Sequence, residues 1–140
     1  MTDPHDLQRF VDAQDAGETY ERVRTELRRG RKESHWMWFV FPQLAGLGHS
    51  SMSIRYAIAS LAEAQAYLAH PVLGPRLAEC AEIVAALPAG PTRIFGGIDA
   101  RKLQSSMTLF AHAHPGHSVF VQVLDHQFDG ERDAATQSRL

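Results

Sequence analysis

The sequence predicts a mainly α fold: a compact single-domain bundle of about seven helices over residues 1–140, with room for one short strand pairing. Three observations carry this. Apolar residues recur at helical spacing in one segment after another. Those segments open on capping residues and close on glycine or proline. The chain has 140 residues with 44% hydrophobic and 21% charged content. That is an ordinary globular balance, able to bury about two thirds of the unfolded surface.

The elements follow in order. Asp3-Pro4 opens a first helix through Leu7, Phe10, Val11 and Gln14, with Asp capping free amides and Pro preset in the first turn. "DAGE" at residues 15–18 predicts a second start, a capping box with Asp15 as cap and Glu18 reaching back. Tyr20, Val23 and Leu27 form its apolar stripe, and Gly30 suits a left-handed residue just past its end. Ser34 reads as the cap of a short helix stopped by Pro42; residues 36–41 would also suit a buried strand, but a strand needs partners and the helix is the preferred reading. "FPQLAGLGHSSMS" reads as a connection.

"SLAE" at residues 60–63 is another capping box, and its helix carries Leu61, Ala64, Tyr67 and Leu68 until His70-Pro71. A further helix aligns Leu77, Cys80, Ala81 and Val84, after which "PAGP" breaks the chain. Asp99 reads as the cap of a helix with Leu103, Ser106, Met107 and Phe110 on one face. Ser118 opens the last long helix, where Val119, Phe120, Val123 and Leu124 share a face, and Asp133 caps a short final turn. "IRYAI" and "VFVQV" are the remaining strand candidates.

Charge and composition exclude several function classes. A net charge of −2 gives no basic excess to draw nucleic acid, which makes nucleic-acid binding an unfavoured reading. The longest apolar run, residues 36–41, is far short of the ~20 residues needed to span a bilayer. No basic start followed by an apolar run marks a secretory signal. A lone cysteine, Cys80, makes no intramolecular disulfide and fits a reducing compartment. The expectation is a cytoplasmic protein without a membrane segment.

The segment "GRKESHWMWFVFPQLAGLG", followed by "YAIASLAEAQAYLAHPVLGPRL" and "IFGGIDARKLQSSMTLF", resembles the signature blocks of the domain of unknown function family 1810, of small mycobacterial-type proteins. The resemblance spans nearly the whole chain. It implies one mainly helical domain and implies no reaction.

The residues themselves suggest where chemistry would lie. Arg31 and Lys32 lead into Ser34, His35 and the tryptophans, so cations stand at the edge of an apolar block, the arrangement a small-molecule site needs. The plainer reading is a basic helix end followed by a solvated loop. His35 fits a general base or a phosphate donor, or else a structural histidine holding a carbonyl. Trp38 suits stacking on a ligand ring, though core packing explains both indoles as well.

Lys102 and Ser106, four apart on one helix face, suit a base and nucleophile; Ser105 and Ser51 suit hydrogen bonds to a ligand. The order is not Ser-x-x-Lys, and small serines also serve close helix contact. His112, His114 and His117 lie close together, but neighbouring positions point to different helix faces and no metal is expected. No Walker loop, dinucleotide fingerprint or zinc-protease motif occurs, so no cofactor is expected.

The leading expectation is therefore a binder of, or enzyme on, a small anionic metabolite, nucleotide-like or phosphorylated. Catalytic roles would fall to His35, Lys102 and Ser106. Ligand contacts would fall to Arg31, Lys32, Ser34, Trp38, Ser51 and Ser105. The alternative is a non-catalytic helical module that binds another protein, or itself, through an exposed part of the aromatic segment.

Overall fold

The computed structural model describes residues 2–116 and 118–140. Its helices are α1 (Gln8–Asp15), α2 (Thr19–Arg28), α3 (Met37–Val40), α4 (Ser51–Arg55), α5 (Leu61–Ala69), α6 (Leu73–Ala86), α7 (Pro91–Phe95), α8 (Gly97–Ala113), α9 (Val119–Phe128) and α10 (Ala134–Ser138). Among the described residues ten helices replace the expected seven or so, because the final turn is a helix of its own and two segments read as connections each hold a short one. Ser50 caps α4 through the amide of Ser53 at 3.1 Å. Pro91 starts α7 directly after Gly90, at the helical position where a missing N–H costs nothing. The expected strand pairing reduces, among the described residues, to one isolated bridge between Leu44 and Ile58. "VFVQV" is helical, within α9.

The caps show which local signals the chain obeys. Ser60 accepts from the Glu63 amide at 3.2 Å, Ser118 from Val121 at 3.4 Å and Asp133 from Thr136 at 2.9 Å. Three expected caps fail. The Asp15–Glu18 box does not form, because α1 continues through Asp15 and the break comes at Gly17, whose φ is +53°. Asp15 instead pairs with Arg76 at 2.8 Å. Asp99 lies inside the first turn of α8, whose N-cap position is Gly96. Ser34 caps nothing, for a reason given below. Asp3 does accept from the amides of Leu7 and Gln8, but α1 begins only at Gln8.

The core is organised around α8. Residues 105–111 of that helix are all buried, so every face is covered, as in a helix at the centre of a bundle. It packs against α5, α7, α9 and α10, while α6 packs on α2, α5 and α9. The close pass of α5 and α6 depends on Gly74, where an added Cβ would collide with the backbone oxygen of Leu68. The stripes expected on α6 and α8 are buried as read: Leu77, Cys80, Ala81 and Val84, then Leu103, Ser106, Met107 and Phe110.

Arg9 fastens the N-terminal turn to the rest. Its guanidinium donates to the carbonyls of His5, Asp6, Arg55 and Ala57 and to Glu63 Oε2 at 2.9 Å. Among the described residues no helix is long and apolar enough to cross a membrane.

Candidate functional site

The site begins where α2 ends. The Gly30 amide donates to Leu27 O at 2.9 Å and the Arg31 amide to Glu26 O at 3.0 Å, a Schellman closure with Gly30 at φ +73°. The loop that follows folds back onto the Glu26 side chain. Glu26 Oε1 accepts from the amides of Glu33 (2.7 Å) and Ser34 (2.9 Å) and from Trp36 Nε1 (3.0 Å). Its Oε2 accepts from Ser34 Oγ at 2.6 Å. Burial pushes this carboxyl upward, but the four donors outweigh it and hold its pKa down at about 2. Ser34 is thus a partner of Glu26 and not the cap of α3. The N-cap position of α3 is Trp36, with no side-chain cap bond.

Lys32 turns inward. Its ammonium donates to Ser34 O at 2.6 Å, pairs with Asp99 Oδ2 at 2.9 Å and stands 5.1 Å from the Trp36 ring centroid; its side chain is 8% exposed. Lys102 approaches the other oxygen of Asp99 at 3.6 Å and lies 5.2 Å from the Trp38 ring centroid. A Lys–Asp–Lys bridge backed by two indoles therefore joins the loop to the first turns of α8. A carboxylate there also complements the positive end of the helix.

The aromatic segment is mostly sealed. Trp36, Met37, Phe39, Val40 and Phe41 are buried and Trp38 is half-buried, so the segment itself presents no broad apolar patch. Arg31, His35 and Ser51 are exposed. Ser106 is fully buried, and among the described residues its Oγ has no hydrogen-bond partner. Ser105 is also buried, with Oγ 2.8 Å from Thr136 Oγ1.

Of the residues singled out from sequence, Lys102 and Ser105 come together, on a surface hollow of about 300 Å³. Arg101, Gln43, Ser53 and Asp133 line it with them, over an apolar part made by Leu47 and Ile98. Arg31, Lys32, Ser34, His35, Trp38, Ser51 and Ser106 do not line it. A larger hollow of about 450 Å³ lies beside Arg9 and Arg55, but it gathers none of the residues singled out. One signal for the missed members was present in the chain. Ile98, Arg101, Lys102 and Ser105 stand at i, i+3, i+4 and i+7, one face of α8. Gln43, Ser53 and Asp133 come from distant segments and gave no such signal.

His112 and His114 are exposed at the end of α8, and His117 lies outside the described residues. Among the described residues no three His, Cys, Asp or Glu side chains gather as a metal site would require.

A family model described as "Protein of unknown function (DUF1810)" matches residues 4–140. The crystal structure of the conserved hypothetical protein Rv1873 from Mycobacterium tuberculosis is similar to the chain at 52% identity, covering 99% of this chain and 98% of that one, with a TM-score of 0.94. No curated protein matches the chain. The match across almost the whole length, together with the shared helical fold, places this chain in the DUF1810 family of proteins of unknown function.

Proposed function

We propose that the protein binds a small metabolite bearing an anionic group, and that the α4–α8–α10 hollow is where it binds. The observation that carries the reading is the convergence of Arg101, Lys102 and Ser105 from one face of α8 with Gln43 and Ser53 on a hollow of about 300 Å³. That volume is at the lower limit of small-molecule sites, which combine apolar lining with a few converging polar groups. Arg101 is exposed and, among the described residues, makes no ion pair, so its planar fork is available to a carboxylate or phosphate. Lys102 adds a second cation, partly balanced by Asp99. Neither indole lines the hollow, so ring stacking has no part in this reading. Binding without turnover fits best, since His35 and Ser106 lie outside the hollow. A cytoplasmic setting accompanies it, supported by the lone, reduced Cys80.

The test is ligand-induced stabilisation. A ligand at about 100 times its Kd raises stability by about 2.7 kcal/mol. Acetate, inorganic phosphate, citrate and free amino acids serve as the panel, with Arg101→Gln as the folded control. At least one panel member is expected to raise Tm in the parent protein and not in the variant. A flat response across the panel, or an identical one in R101Q, overturns the reading.

A second reading, a face for another protein or for a second copy, is favoured by Ile98 and Ile54, which are 76% and 66% exposed. Light scattering over a range of concentrations checks it: a constant monomer mass removes self-association.

A further inference from the structure

Resting on the same hollow, we infer that its ligand is a zwitterion, a free α-amino acid with a small aliphatic side chain. The walls of the hollow carry opposite charges. The α8 wall holds Arg101 and Lys102; the opposite wall holds Asp133, at the start of α10. Asp133 Oδ2 is occupied as a cap, accepting from the Thr136 amide at 2.9 Å and from Thr136 Oγ1 at 2.6 Å. Among the described residues Oδ1 accepts no hydrogen bond, so one carboxylate oxygen is left for an ammonium group.

The carboxylate is held rigidly in place. Because the Thr136 hydroxyl proton is directed at Asp133, Ser105 Oγ must be the donor in its 2.8 Å contact with Thr136 Oγ1. Ser105, Thr136 and Asp133 thus form a directed chain across the two walls. The Asp133 amide also donates to Thr108 Oγ1 at 3.0 Å, and Gln104 Nε2 donates to Glu131 O at 2.8 Å. These bonds set the spacing between the positive and negative walls before any ligand arrives, which lowers the ordering cost of binding.

Charge sign then selects the ligand class. A phosphate dianion drawn to Arg101 would also face Asp133, and like-charge juxtaposition works against it. A carboxylate on the α8 wall with an ammonium on Asp133 satisfies both walls. Leu47 and the exposed Ile98 offer apolar surface to an aliphatic side chain. The volume of about 300 Å³ is enough for an amino acid.

The experiment titrates the full chain, by calorimetry and by thermal shift, with L-leucine, 4-methylpentanoate (no ammonium), isopentylamine (no carboxylate) and inorganic phosphate. L-Leucine is expected to bind at least tenfold tighter than each of the others. Asp133→Asn keeps a good capping residue and should reduce leucine to the affinity of 4-methylpentanoate; Asp133→Ser is the second variant if the first is unstable. Equal binding of 4-methylpentanoate and leucine, or tighter binding of phosphate, overturns the zwitterion while leaving an anion site standing. No binding by any of the four and a flat response to the wider anion panel would overturn both.

Discussion

Trp36 Nε1 donates to Glu26 Oε1 at 3.0 Å, tying the first residue of the aromatic segment to a helix ten positions earlier. The same carboxylate collects two loop amides and the Ser34 hydroxyl, so the path of the cationic loop depends on it. Glu26→Ala leaves three buried or half-buried N–H donors without their acceptor and is expected to cost about 3 kcal/mol. Glu26→Gln is expected to cost less, because an amide oxygen can replace Oε1 and Ser34 Oγ can turn to accept, although the stability that comes from the negative charge is lost in it too. Denaturant unfolding of the two variants checks the order; equal losses would mean that the acceptor geometry is not what matters.

The same residue sets an acid response. Its carboxyl titrates at about 2 in the folded chain against an ordinary value of 4.5. A lowered folded-state pKa contributes stability above the ordinary value, and that stability is lost as pH falls from about 4.5 to about 2, up to about 3 kcal/mol. The stability gap between parent and E26Q should therefore shrink across that window. A gap independent of pH between 5 and 2 would contradict the assignment.

Asp99→Asn is expected to destabilise by about 2 kcal/mol, because the Lys32 ammonium then keeps only Ser34 O and the Trp36 face in a nearly closed site. Lys32→Met retains apolar packing against Trp36 and removes the charge. A double-mutant cycle between the two should show a coupling of about 1–2 kcal/mol. The longer contact of Asp99 with the more exposed Lys102 should couple by no more than about 0.5 kcal/mol. Additive effects of Asp99→Asn and Lys32→Met would show that the pair does no structural work.

Cys80 is fully buried on α6, and burial pushes its thiol up to about 12. At pH 8 almost no thiolate forms and no reagent reaches the sulfur. Labelling by a disulfide reagent should be at least a hundredfold slower in the native protein than in denaturant. Rapid native labelling would indicate an opening of α6 away from α2.

Periodicity located the buried stripes of α6, α8 and α9 because a stripe is a local property: each residue's side of a helix follows from its number. Caps were legible where the candidate residue directly preceded its helix, as at Ser60, Ser118 and Asp133. They were misread at Asp15, because α1 continues through it, at Asp99, which lies inside the first turn of α8, and at Ser34, whose hydroxyl goes to Glu26. The short helices α4 and α7 hid in stretches rich in Ser, Gly and Pro, residues that begin helices as readily as they end others.

The chain's order alone determined a mainly helical fold, the burial of most of the tryptophan block and the face of α8 that carries Ile98, Arg101, Lys102 and Ser105. Only the tertiary structure decided that Lys32 closes inward on Asp99 while Arg101 stays open, and that Gln43, Ser53 and Asp133 join that face. The reason is distance along the chain. Helical spacing governs neighbours three or four residues apart, whereas the pairing of a charge with a partner 67 residues away follows from how the helices pack.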